Sequence, residues 1–253
     1  MEILRDVLRW THVILGFTGL IAFWFPVFAR KGGTIHRRVG KVFVWCGYGV
    51  TASAFVSCGV HTWMIFATGI VEQNRANLAF LAMLAYLAVV TFVTLHHAMR
   101  VLGPKRDPTL LDQPLDRSLA YAAIAASLGL IAFALLQPTD RSILLIAMSP
   151  IGLSVGWGIL RYIRGTDPST RAWFYAHMGA TLGAGVAFHT AFAVFGAARL
   201  FDLHLSGFTG MLPWLLPAAI GIPAGSLWER YYRRKFGDLP PKGAAAAAAG
   251  DLP

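Results

Sequence analysis

The sequence predicts an all-α fold, a membrane bundle of about seven transmembrane helices. Hydrophobic residues make up 56% of the chain and charged residues 13%, whereas soluble domains carry about a quarter charged residues. The apolar residues fall in blocks of about twenty, the length that crosses a bilayer core. Turn-forming pairs such as Gly32-Gly33 and Gly103-Pro104 separate these blocks. Since backbone groups in lipid must bond within their own segment, we expect each block to be a helix.

The chain divides into one transmembrane domain and a tail. We expect residues 1–236 to form the domain, with 229–236 continuing the last helix as a basic amphipathic end. Residues 237–253 have no core-forming pattern and are predicted to be a disordered tail. The predicted spans are about 10–29, 42–68, 78–101, 118–137, 142–163, 173–200 and 211–228.

Basic residues predict the orientation of the bundle. With these spans, seventeen of the 22 Lys and Arg residues fall on one side of the membrane. Because basic loops stay in the cytoplasm, the N-terminus is predicted outside and the C-terminus cytoplasmic. The formal charge of +10 lies beside apolar spans, which indicates membrane orientation and contact with anionic inner-leaflet lipid. We therefore expect no nucleic-acid partner.

The first hinge, predicted over residues 30–41, concentrates this charge. Its notable residues are Lys31, His36, Arg37, Arg38 and Lys41. Three roles remain open for them: contact with anionic lipid, binding of a phosphate or carboxylate, and holding one end of a cofactor. We expect topology and lipid contact to come first and a role of His36 to come second.

Carboxylates are missing from the middle of the predicted spans. All twelve acidic residues fall in loops, tails or span edges. Proton-coupled carriers usually keep an intramembrane carboxylate, and paired carboxylates are needed for acid–base hydrolysis. The pattern argues against both classes within the membrane.

Histidines are the main ionisable residues left in or beside the spans. Counting about 1.5 Å per residue from the inner helix ends gives two layers roughly 20 Å apart. The outer layer contains His12, His61 and His189, and the inner layer contains His97 and His177, with His96 and His36 nearby.

Imidazole nitrogens at two depths suit electron transfer. Our preferred hypothesis is a haem b or metal-binding electron-transfer protein that works with a membrane redox partner. The alternative is a non-catalytic carrier, sensor or accessory subunit whose histidines form hydrogen bonds between helices. The sequence leaves open whether the protein is an enzyme, what its substrate is and how it assembles. The expected cofactor ligands are His12, His61, His97, His177 and His189. For a zinc or copper site, the expected ligands are His12, His61 and His189. The cations expected near haem propionates are Arg37, Arg38, Lys41, Arg100 and Arg171.

The sixth span also contains a ridge of small residues. Gly179, Gly183, Ala187 and Ala191 recur every four residues. Small side chains at this spacing let a neighbouring helix approach closely. We therefore expect tight packing along this ridge.

Three segments carry a resemblance to a known family. HVILGFTGL in the first span, KGGTIHRRVGKVFV after it and HMGATLGAGVAFHTAF in the sixth span resemble the bacterial membrane proteins called domain of unknown function 2306. The resemblance covers about residues 8–200. It implies a multi-pass protein of the bacterial plasma (inner) membrane and assigns no activity. His12, His36, His177 and His189 lie inside these segments.

Overall fold

A computed structural model describes residues 2–197, 200–202 and 207–239. This part of the chain is helical and contains no β-strand. Seven helical segments, of which Ser142–Ile163 is the fifth, are long and apolar enough to cross a membrane. The predicted all-α class and the number of segments able to span a membrane are therefore confirmed. The predicted orientation of the termini stays a prediction, and residues 240–253 of the expected tail lie outside the described residues.

The helices are longer than the predicted spans at several ends. A π-helix, Phe192–Ala197, follows directly on the helix that ends at Ala191, and 3₁₀ turns occur at Glu72–Asn74 and Pro108–Leu111. The helices, numbered here in chain order, are α1 Glu2–Phe28, α2 Thr34–Ala67, α3 Arg75–Arg100, α4 Pro114–Leu136, α5 Ser142–Met148, α6 Pro150–Ile163, α7 Ala172–Ala191 and α8 Gly207–Phe236. As expected, the last helix includes the basic segment 229–236.

The first hinge is shorter than predicted. Only residues 29–33 are non-helical, because α2 already begins at Thr34. Gly32 has a φ of 74°, a left-handed conformation that favours glycine, and it turns the chain between the two helices. The charged residues of 34–41 therefore form the first turns of α2 rather than a loop.

The fifth span is broken inside the bundle. Helix α5 ends at Met148 and α6 begins at Pro150, whose ring nitrogen has no hydrogen to donate. The Tyr86 hydroxyl lies 2.9 Å from the Met148 carbonyl oxygen and 3.1 Å from that of Ser149, and it accepts a hydrogen bond of 2.8 Å from the Gly152 N–H. Because lipid offers no replacement partners, this hydroxyl satisfies backbone groups that the break leaves free.

Close helix packing occurs at glycines other than those of the predicted ridge. A Cβ atom added to Gly156 would lie 2.4 Å from the Ala120 carbonyl oxygen, so α6 crosses α4 almost backbone to backbone. In α7, a Cβ on Gly185 would lie 2.2 Å from the Phe23 ring. A Cβ on Gly179 would meet nothing within 4 Å. The ridge expected along Gly179 and Gly183 is therefore not where α7 is approached most closely.

One end of the bundle collects the basic loops. We call it the basic face; it carries residues 29–33, 101–113, 164–171 and 237–239. Just inside it, an apolar core joins α1, α2, α3 and α7 through buried residues such as Phe23, Phe43, Leu95 and Phe188. This core holds the helix ends of the basic face in fixed positions.

The end of α8 is fastened to the loop between α6 and α7. Arg233 donates to the Asp167 carboxylate at 2.6 Å, and the Tyr175 hydroxyl donates to Asp238 at 2.6 Å. The hydrogen bond from Tyr175 lowers the pKa of the Asp238 carboxyl. Burial would raise the pKa of Asp167, but the hydrogen bonds from Arg233 and the Ser169 N–H, together with the charge of Arg233, outweigh burial and the pKa is lowered. Both carboxylates therefore stay ionised and keep these contacts.

Candidate functional site

Two histidines meet at the basic face. His36 lies in the first turn of α2 and His177 in the second turn of α7, and their ring centres are 6.4 Å apart. Two imidazoles bound to one metal atom from opposite sides, through bonds of about 2 Å, would have ring centres about 6 Å apart. The separation is therefore compatible with a shared atom between the rings.

Backbone carbonyls fix the tautomer of both rings. His36 Nδ1 lies 3.1 Å from the Pro26 carbonyl oxygen, and His177 Nδ1 lies 2.7 Å from that of Ala98. A carbonyl oxygen can only accept, so each Nδ1 carries the hydrogen and donates it. In a neutral imidazole Nε2 is then the unprotonated nitrogen, which is the atom that can bind a metal.

A comparison with protein families, curated proteins and solved structures finds no match. The interpretation of the histidines therefore rests on the chain's own geometry.

Lys31 contributes to the same corner of the fold. Its ammonium group donates to the carbonyl oxygens of Pro26 at 2.9 Å and Val27 at 2.7 Å, and it lies 4.8 Å from the centre of the Trp228 ring. The last carbonyls of a helix have no donor within it, so Lys31 and His36 together close the end of α1. Burial lowers the pKa of Lys31.

The remaining hinge cations point away from this corner. Arg37, Arg38 and Lys41 are exposed. Their position on the basic face agrees with the expected contact with anionic lipid, which stays a prediction. The five hinge residues thus divide into two that bond the end of α1 and three that face outward.

Two further histidines lie on α3 near the pair. His97 is buried, with 8% of its surface exposed, and packs edge-on against the Tyr162 ring at 5.3 Å. His96 stacks on Phe92 at 6.0 Å. Among the described residues, neither the His96 Nε2 atom nor the buried Tyr162 hydroxyl has a hydrogen-bond partner. These two atoms are buried polar groups that the surrounding helices leave unpaired.

The expected outer layer does not form one group. His12 Nδ1 lies 3.1 Å from the Ser53 hydroxyl on α2, whereas His189 Nδ1 bonds the Gly185 carbonyl of its own helix at 2.7 Å. His61 is exposed and bonds only the Ser57 carbonyl of its own helix, at 2.8 Å. Each ring thus has a separate partner.

Helix length explains the separation of His61. Because α2 begins at Thr34 and not at residue 42, His61 lies about 40 Å along its axis from the basic face. The His189 ring lies 5.4 Å from that of Phe23 and 5.3 Å from that of Trp24, about 17 Å along α1 from His12. Across the described residues, no three His, Cys, Asp or Glu side chains form a group that could hold a metal ion. The structure therefore does not bring His12, His61 and His189 together.

Two of the cations expected near haem propionates are engaged elsewhere. Arg100 donates to Asp116 through Nε at 3.1 Å and Nη2 at 2.9 Å, and the Asp116 carboxylate is 3% exposed. Arg171 pairs with Asp238 at 3.3 Å. Both guanidinium groups stabilise contacts between segments of the basic face.

The sequence missed the contact between His36 and His177. Residue counts place both near the inner surface, with His36 in the hinge and His177 among the expected cofactor ligands. A usable signal was their equal depth: each lies within two turns of a helix start at the same face. Neither local sequence alone predicts that α2 and α7 bring these two residues together.

Proposed function

We propose that this chain is a membrane electron-transfer protein in which His36 and His177 hold a haem b at the basic face. One observation carries the proposal: two imidazoles 6.4 Å apart, each with Nδ1 donating to a backbone carbonyl. When bound, the haem iron would accept and release one electron.

The number of protein donors favours haem over a bare metal ion. Haem iron needs only two axial ligands from the protein, whereas zinc usually takes four and rarely fewer than three. Only two imidazoles meet here, and the described residues offer no set of three. A transition metal held by His36 and His177 with ligands from outside the chain is the variant of this proposal.

The chain's own residues would orient the ligands. The carbonyl oxygens of Pro26 and Ala98 hold the rings and raise the basicity of each Nε2. Lys31 fixes the end of α1 that carries one of these carbonyls. Phe23, Phe43 and Phe188 belong to the apolar core that joins α1, α2 and α7.

The rest of the assignment is part of the same proposal. It places the chain in the bacterial plasma membrane with the basic face cytoplasmic, and it includes membership of the domain of unknown function 2306 family. It also includes a membrane redox partner. Hydrogen bonds such as that of His12 to Ser53 support the alternative, a non-catalytic protein whose histidines join helices.

The decisive experiment is a visible spectrum of the purified full-length protein, oxidised and reduced, with metal analysis of the same sample. We expect a haem b spectrum that is lost in His36→Ala and in His177→Ala, because each variant removes one of the two imidazoles that would hold the haem. His61→Ala is the matched control and should keep the spectrum, since that ring is exposed and bonds only its own helix.

Two results would overturn the proposal. One is protein from haem-supplied cells that carries neither haem nor metal and cannot be reconstituted with either. The other is a spectrum that survives in both His36→Ala and His177→Ala. In the alternative, these variants would lose only about 1 kcal/mol of stability, and no chromophore would be found.

A further inference from the structure

A pocket opens on the basic face beside the start of α7. Its volume is about 470 Å³, and it lies between the loop that follows α3 and the loop that precedes α7. The lining residues are Lys105, Arg106, Thr170 and Trp173. Two cations, one hydroxyl and one indole therefore surround a space large enough for a small polar group.

No carboxylate of the described residues is paired with either cation of the pocket. Within the described part of the chain, neither Lys105 nor Arg106 forms an ion pair. The acidic residue next to them in sequence, Asp107, turns one carboxylate oxygen to Thr109, which donates to it from both N–H and hydroxyl. The Lys105 ammonium lies 4.6 Å from the centre of the Trp173 ring, which holds it at the pocket. An anion entering the pocket would meet two cations that form no ion pair with a carboxylate of the described residues.

We propose that this pocket binds a phosphate group, supplied by the headgroup of an anionic phospholipid. A lysine, an arginine and a hydroxyl together offer the donors that bind phosphate oxygens. The pocket lies at the basic face, after the end of α3 and beside the start of α7. Indole rings such as that of Trp173 favour the headgroup level of a bilayer. Basic pockets between transmembrane helices are suited to anionic headgroups. This inference does not depend on a cofactor at His36 and His177.

The test is a lipid titration of the full-length protein in neutral detergent, followed by native mass spectrometry. The probes are short-chain phosphatidylglycerol, phosphatidylcholine with the same acyl chains, and inorganic phosphate as a competitor. We expect phosphatidylglycerol to bind at least about tenfold more tightly than phosphatidylcholine, because choline offsets the phosphate charge.

Matched variants assign the binding to the pocket. Lys105→Gln with Arg106→Gln should weaken phosphatidylglycerol binding by about tenfold or more. Arg161→Gln with Arg164→Gln removes the same charge from exposed positions outside the pocket lining and should weaken it by less than about threefold. Thr170→Val keeps both cations and should still weaken binding measurably, which provides a test if the double variant fails to fold.

The outcomes separate the sources of the phosphate. If inorganic phosphate competes at concentrations similar to those of the lipid, the ligand of the pocket is a soluble phosphate and not a lipid headgroup. Equal binding of phosphatidylglycerol by the pocket variants and the Arg161/Arg164 control would overturn the site altogether.

Discussion

Tyr86 shows how much one hydroxyl can contribute inside a membrane bundle. It sits on α3 and reaches three backbone groups of the broken fifth span, those of Met148, Ser149 and Gly152. In water, a break of this kind would be solvated. In lipid the same groups need a protein partner, so a tyrosine on a neighbouring helix replaces water.

Replacing Tyr86 by Phe should destabilise the protein by about 1–3 kcal/mol, because the Gly152 N–H loses its acceptor in a buried environment. Tyr121→Phe is the control: Tyr121 is 54% exposed, and its loss should change stability by less than about 0.5 kcal/mol. Unfolding of both variants in mixed micelles by a denaturing detergent gives the measurement. Equal stability of the two variants would show that the break is satisfied in some other way.

The sequence predicts the depth of the histidines in the bundle better than it predicts which of them lie next to each other. Counting residues along the helices predicts the depth of a side chain, and His36 and His177 do lie at the same face. The direction in which a ring points depends on which helix packs beside it. That contact joins residues 141 positions apart, so no local pattern in the sequence could reveal it.

Among the helices, the crossing of α4 and α6 depends on two glycines one turn apart. Gly152 and Gly156 face the carbonyl oxygens of Ala123 and Ala120, at distances that leave no room for a Cβ. A backbone carbonyl cannot rotate away as a side chain can. This contact therefore fixes how near the two helices lie.

We expect Gly156→Ala to destabilise the bundle by about 1–3 kcal/mol, since the added methyl group would force α6 away from α4. Gly158→Ala, on the same helix, is the matched control, because a Cβ there meets nothing within 4 Å. It should be neutral or slightly stabilising, since alanine favours helix more than glycine does. Detergent-induced unfolding compares the two variants, and a Gly158 variant as unstable as the Gly156 variant would contradict the packing argument.

The sequence carried both small-residue patterns, one at Gly152 and Gly156 and one from Gly179 to Ala191. Spacing alone shows that a helix could be approached closely, and it does not show which ridge faces a neighbour. The structure places the closest contact of α7 at Gly185, off the expected ridge. The composition of a segment predicts that it forms a helix, whereas the packing of all the helices decides which of its faces meets a neighbour.

For the whole molecule, the prediction that remains to be tested is orientation. Only one candidate span, α3, separates Glu72 from Asp112, so we expect the two residues on opposite membrane faces. The excess of basic residues around Asp112 predicts that its side is cytoplasmic. Reporter domains inserted at Glu72 and at Asp112 should therefore report the outside and the cytoplasm, respectively. The reverse result would contradict the orientation, and reporters on the same side would contradict the number of spans.

The length of α2 has a consequence for where the protein can reside. Residues 42–67, the apolar part of this helix, measure about 39 Å, whereas the hydrocarbon core is about 30 Å thick. The tight turn at 29–33 anchors α1 and α2 at the basic face, so the surplus length accumulates at the far end, where Trp63 and Phe66 are exposed. In a thin bilayer, α1 and α2 would tilt or protrude from the hydrocarbon core, whereas in a thick bilayer they could lie parallel to the membrane normal. The hydrophobic mismatch between helix and membrane would therefore favour thicker membrane regions.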